Sequence, residues 1–124
     1  MKKDSPYFLN SEDKKIVNIF AELGMPKNLA KTLTYISRVN ECRSADIEKG
    51  ANLRQPEVSV AMQHLQRKEW ISKRDVKKEG KGRPIYFYKL EASLDVIVKD
   101  FEKEKQKEIE TIKKDIGELK SLLS

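Results

Sequence analysis

The chain has 124 residues, 38% hydrophobic and 37% charged, with 26 Lys/Arg against 20 Asp/Glu and a formal net charge of +6. That length suits one small domain with an extension, and the modest apolar fraction leaves a small core beneath a heavily charged surface. No apolar run approaches the ~18 residues of a membrane span, the opening MKKDSPYFLNSED holds acids where a secretory leader is apolar, and the single Cys excludes an internal disulfide, so a reducing, cytoplasmic setting is expected.

The positive charge is unevenly placed. Residues 1–65 net +2, residues 66–90 carry 9 basic and 3 acidic side chains for +6, and residues 91–124 net −2. Such a block is the electrostatic footprint of contact with a polyanion. A solvated charged face is the alternative, and its position along the chain favours contact.

Residues 1–10 read as an arm. Ser11 is expected to cap a first helix with Glu12 and Asp13 in its first turn, as the helix dipole prefers, and Ile16, Ile19, Phe20 and Leu23 as its apolar stripe. Gly24 ends it. Pro26 opens a second helix with Leu29, Leu33, Ile36 and Val39 on one face. Ser44 is expected to cap a short third helix, residues 45–49, which Gly50 would close in the left-handed conformation.

The stretch LRQPEVSVAMQHLQRKE, residues 53–69, is the centre of the sequence. Val58, Ala61, Met62 and Leu65 fall at i, i+3, i+4 and i+7 and share one side of a helix. Pro56 suits a first turn and Glu57 the positive end of the dipole, which starts the helix near Gln55. Gln55, Ser59 and Gln63 lie off the stripe, with Arg54, Glu57 and Arg67 also on the polar surface. Side chains of this kind near a helix N-terminus can reach base edges in a DNA major groove. Leu53 and Ile47 would plug the angle between this helix and the short one before it. A helix-turn-helix pattern results, although the same arrangement occurs in proteins that never touch DNA.

Trp70 and Ile71 begin a strand, about 70–77. The glycine-containing KKEGKGRP forms a turn, and PIYFYKL, residues 84–90, is a second strand rich in aromatic and β-branched residues. The hairpin directly follows the candidate recognition helix, so its basic tip, with Lys81 and Arg83, can clamp phosphate or enter a minor groove. An ordinary hairpin with a soluble tip is the bland alternative.

The run SADIEKGANLRQPEVSVAMQHLQRKEWI, followed by the GKGRP hairpin and an aromatic strand, resembles a winged helix-turn-helix regulator. It is similar to the archaeal transcription factors grouped around the MarR, ArsR and TrmB families. The resemblance covers residues 11–90 well and the terminal helix more loosely. It implies that the helix matching Gln55 to Arg67 enters the major groove and that the tip matching Lys81 to Arg83 touches backbone or minor groove. Two departures stand out. There is no counterpart of the large sugar-sensing domain of TrmB-type regulators, nor of the Cys/His/Asp clusters of metal-sensing ArsR-type members, so no effector class carries over.

Residues 92–123 read as one long helix. Leu94, Ile97 and Phe101 are spaced 3 and 4 apart, and after the charged EKEKQKE the seam Ile109, Ile112, Ile116, Leu119 and Leu123 resumes at 3, 4, 3 and 4. A helix this long outreaches an ~80-residue domain, so a partner helix is implied, most simply that of a second copy. The alternative folds it back on its own domain. Cys42 and His64 have no second Cys or His with which to make a ligand or nucleophile pattern. No catalytic activity, metal or cofactor is therefore expected.

The expected fold is mostly α with a small β-hairpin (α+β), a winged helix-turn-helix followed by a C-terminal dimerisation helix. The expected division is an arm over 1–10, the DNA-binding domain over 11–90 and the dimerisation helix over 91–124. The expected partners are double-stranded DNA and a second copy. The rival function is a winged-helix protein-interaction module within a larger assembly.

Overall fold

The computed structural model describes residues 7–76 and 85–124. In chain order these form α1 (Ser11–Glu22), α2 (Lys27–Arg38), α3 (Ser44–Gly50), α4 (Gln55–Arg67), β1 (Ile71–Val76), β2 (Ile85–Leu90) and α5 (Leu94–Leu123). The chain divides into two compact units, residues 1–92 and residues 93–124. The expected element types and order are present, with their ends where expected or displaced by a residue or two.

The first helix departs from its expected packing. Asn10, not Ser11, caps α1: its Oδ1 accepts the Asp13 N–H at 2.9 Å, while Asp13 Oδ2 accepts the Asn10 N–H at 3.0 Å. This reciprocal pair fixes the start of the helix. The inward line is Asp13, Val17 and Phe20, whereas Ile19 and Leu23 are exposed and Ile16 is half-buried. Apolar periodicity alone misplaces the stripe because one inward position belongs to a carboxylate. Asp13 is fully buried and also receives the Tyr7 hydroxyl and, at 2.7 Å, the Arg38 Nε–H. Burial pushes its carboxyl up, but the hydrogen bonds from Tyr7, Asn10 and Arg38 outweigh that and hold it below the ordinary 3.8. Gly24, at φ 102°, ends α1 as expected.

The central helix is α2, which packs on α1, α3, α4 and β2. Leu29, Ala30, Thr32, Leu33, Thr34, Tyr35 and Ile36 are all buried, so its buried face is much wider than a single apolar stripe. Val39 lies just past its end and is half-buried.

Gly50 has a different role from the expected one. It is the last residue of α3, and the left-handed residue after the helix is Asn52, at φ 55°. The Leu53 N–H reaches back to the Glu48 carbonyl at 2.9 Å and closes the turn. What position 50 requires is space. A Cβ there would lie 2.5 Å from the Tyr7 carbonyl oxygen and 2.7 Å from Tyr35 Cδ1. The Leu9 N–H donates to the Gly50 carbonyl at 3.0 Å, which lays residues 7–10 across the end of α3. At the other end Arg43, not Ser44, is the N-cap residue, and its N–H is taken by Asp46 Oδ2 at 2.9 Å.

The following helix behaves as its sequence dictates. Val58, Ala61, Met62 and Leu65 of α4 are buried, and Ile47 and Leu53 fill the angle with α3. Glu69, at φ 63°, turns the chain sharply out of α4, and buried Trp70 and Ile71 lead into the hairpin. The strands are antiparallel, with Ile71 opposite Leu90 and Val76 opposite Ile85. A third piece of chain joins them. Cys42 and Tyr88 exchange backbone hydrogen bonds of 3.0 and 2.8 Å, so β2 lies between β1 and Cys42, two residues before α3. Helices α2, α3 and α4 followed by a hairpin pinned in this way are a winged-helix arrangement.

The second unit is α5, capped by Ser93, whose Oγ accepts the Val96 N–H at 3.4 Å. Its 30 residues span about 45 Å.

Two expectations follow for stability. Gly→Ala in a helix ordinarily stabilises, by up to ~1 kcal/mol. Gly117 has open space around it and should follow that rule, whereas Gly50→Ala should destabilise by about 1–3 kcal/mol through overpacking. Opposite shifts in chemical-denaturation midpoint would verify the close approach at residue 50, and a stabilised Gly50→Ala would contradict it. Asp13→Asn should cost about 1–3 kcal/mol at pH 7. A depressed folded pKa stabilises above the unfolded value and ceases to do so as pH falls through the folded one. The penalty should therefore shrink below about pH 3.8, read from unfolding curves of both proteins across that range.

Candidate nucleic-acid interface

Burial of the Val58–Leu65 stripe leaves the remaining surface of α4 outward. Gln55, Ser59 and Gln63 are all exposed on it and, at i, i+4 and i+8, follow one line along the helix. Arg54 is the N-cap residue with its side chain 86% exposed, and Arg67 ends the helix, also exposed. Glu57 is partly occupied elsewhere: its Oε1 accepts the Arg54 N–H at 2.8 Å and its Oε2 lies 3.8 Å from the Arg54 guanidinium. It secures the start of α4 and offsets part of the Arg54 charge.

The three outward side chains share a shallow hollow of about 160 Å³ with Ser44, Met62, Gln66 and Tyr88. Three elements build it. The first turn of α3 supplies Ser44, α4 supplies the glutamines and Ser59, and β2 supplies Tyr88, held in place by the Cys42 bridge. Sequence reading misses Ser44, Gln66 and Tyr88. Gln66 could have been found from its spacing, three residues beyond Gln63. Tyr88 carries no such signal, because its position depends on strand register and on a pairing with Cys42 across 46 positions of chain.

The basic block after α4 is less free than its composition suggests. Arg74 donates to both carboxylate oxygens of Glu41, at 2.7 and 2.9 Å, and its guanidinium lies 5.3 Å from the Phe87 ring centre. The Arg74 hydrogen bonds hold the Glu41 carboxyl below its ordinary value. Lys73 sits 4.5 Å above the Tyr86 ring, and Lys68 5.1 Å from that of Trp70. Lys81 and Arg83 lie outside the described residues.

Cys42 is buried, which pushes its thiol up to about 12, and His64 is exposed on α4. Among the described residues no group of three His, Cys, Asp or Glu side chains is placed to hold a metal ion, and no helix is long and apolar enough to cross a membrane. On α5, Ile109, Ile112, Ile116, Leu119 and Leu123 are all exposed, Leu123 by 83%. Leu122, absent from the expected seam, is 76% exposed beside it.

No known family model matches the chain, and no curated protein matches its sequence. Solved structures do share its fold. TrmBL2, described as an archaeal chromatin protein with a novel mode of DNA binding, superposes with a TM-score of 0.53 at 16% identity. The match covers 90% of this chain but 42% of that one, so the present chain spans under half the length of TrmBL2. A possible transcriptional regulator from Methanosarcina mazei Go1 gives 0.53 at 17% identity, over 79% of this chain and 87% of the other. MepR, a transcription regulator of the Staphylococcus aureus multidrug efflux pump MepA, gives 0.50 at 18% identity, over 90% of each chain. The winged-helix fold is thereby shown.

Proposed function

We propose that the protein binds double-stranded DNA as a homodimeric transcriptional regulator, with α4 in the major groove and the tip of the hairpin on the backbone or minor groove. The observation that carries this reading is the outward line Gln55, Ser59 and Gln63, uncharged, hydrogen-bonding and flanked by Arg54 and Arg67 at the two ends of the helix. The flanking cations suit phosphates and the amides between them suit base edges. Regulators and a DNA-binding chromatin protein among the fold's neighbours add precedent. In this reading residues 11–90 make the DNA-binding domain and residues 91–124 the dimerisation helix. The exposed stripe Ile109, Ile112, Ile116, Leu119 and Leu123 seats against the same stripe of a second copy.

The test is titration of duplex DNA with the full chain across a range of salt. Gln55→Ala and Gln63→Ala should each weaken the preferred site by ~1–3 kcal/mol. Lys81→Ala with Arg83→Ala should weaken all duplexes together and flatten the log–log salt slope by about 1 for each phosphate no longer neutralised. Wild-type affinity in both glutamine variants would remove α4 from the groove, and an unchanged slope would remove the hairpin tip.

The dimer has its own expected outcome. A two-fold pair would space its recognition helices by about one DNA turn, ~34 Å, and require an inverted repeat. Burying one side chain of the stripe contributes ~1.5–3 kcal/mol, so Ile112→Glu with Ile116→Glu should give a monomer that keeps its winged-helix domain folded. Sedimentation velocity reads this directly. A wild-type monomer at tens of micromolar, or a variant that still sediments as a dimer, would refute this interface.

A further inference from the structure

The hollow beside α4 is an unusual surface for a basic protein. Among the described residues its polar lining between Arg54 and Arg67 is uncharged: Gln55, Ser59, Gln63 and Gln66 from α4, with Ser44 and Tyr88. At about 160 Å³ it is too small for an ordinary small-molecule ligand, which takes ~300–1,000 Å³, but large enough for the edge of a base.

Those side chains discriminate between bases on chemical grounds. In the major groove guanine offers two acceptors, O6 and N7, and is met by two donors on one cationic side chain. Adenine offers an acceptor at N7 and a donor at N6, and a carboxamide, with one donor and one acceptor side by side, matches both. A lining with three carboxamides and, among the described residues, no guanidinium or ammonium group pairs well with adenine and poorly with guanine. Tyr88, half-buried and lining the hollow, offers an aromatic ring against which a thymine methyl can pack. From Gln55 to Gln63 the helix rises about 12 Å, which at ~3.4 Å per base step corresponds to three or four base pairs.

We infer that α4 reads a short A·T core, with adenines contacted by Gln55 and Gln63 within a run of three or four base pairs, while Arg54 and Arg67 hold the phosphates on either side. This inference rests on the proposed insertion of α4 into the major groove and adds the class of sequence it accepts. Ser44 and Tyr88 act as specificity residues that shape the hollow from two other elements.

Selection of bound sequences from a random duplex pool by the full chain is the test, followed by titration of the winning site with adenine replaced by 7-deazaadenine at each core position in turn. The substitution removes the N7 acceptor while leaving base pairing and the minor-groove edge unchanged. The expected result is a core of A·T pairs, a loss of about 10-fold at two or more deaza positions, and loss of preference at one position each in Gln55→Ala and Gln63→Ala. A tightly bound core of G·C pairs, or selection without a consensus, would overturn the amide reading and leave DNA binding standing. An A·T core insensitive to deazaadenine would also overturn it, by assigning the preference to groove shape. Failure to bind any duplex at low salt would instead refute the proposed function itself.

Discussion

A carboxylate without water must take all its partners from the protein, and Asp13 does so. An isolated buried charge costs several kcal/mol, so the fold is tolerable only when Tyr7, Asn10 and Arg38 are all in position around it. Those three residues come from the segment before α1, from its cap and from the end of α2. One side chain therefore sets where the chain enters the domain and how α1 lies on α2. Tyr7 carries the constraint onward. Its ring meets Tyr35 edge to face with centroids 5.8 Å apart, and its carbonyl passes over Gly50 at the end of α3. The direction in which α3 points, and with it the start of α4, is fixed from this side of the molecule.

The other side is fixed by backbone. The Cys42–Tyr88 bridge ties the hairpin to the residue two before α3, and the left-handed Glu69 turns the chain from α4 toward β1 within the three residues that separate them. Helix α4 is thus held at both ends by elements it does not itself contain, which keeps its outward face rigid. The pairing of Arg74 with Glu41 offsets a positive charge in the middle of β1. Most of the remaining excess belongs, by sequence, to residues 77–84, with four Lys/Arg and one Glu.

The parts of the fold that were legible in the sequence are those governed by one element alone. The apolar stripe of α4, its start near Pro56, the stop at Gly24 and the alternation of helix and hairpin all follow from local spacing and turn chemistry. The parts that were not legible involve a residue doing something unusual for its type. Asp13 takes a core position and displaces the expected stripe of α1, which no scale of apolarity anticipates. Gly50 is small for the sake of Tyr35 and Tyr7, while Asn52 supplies the left-handed turn that a glycine normally would. For the candidate interface, Gln55, Ser59 and Gln63 were identifiable by elimination from the buried stripe. Ser44 and Tyr88 reach the same hollow only through tertiary pairing.

The sheet is asymmetric in a way that bears on solubility. One edge of β2 is covered by Cys42, the other by β1, and among the described residues no strand covers the outer edge of β1. An open edge of six residues is a template on which a second chain can add, the usual beginning of aggregation in small β-structures. Here that edge reads Ile-Ser-Lys-Arg-Asp-Val, with Lys73, Arg74 and Asp75 exposed at its centre. A like strand laid alongside would have to accommodate these charges against its own. The polar middle of β1 thus keeps the hairpin from growing into an intermolecular sheet.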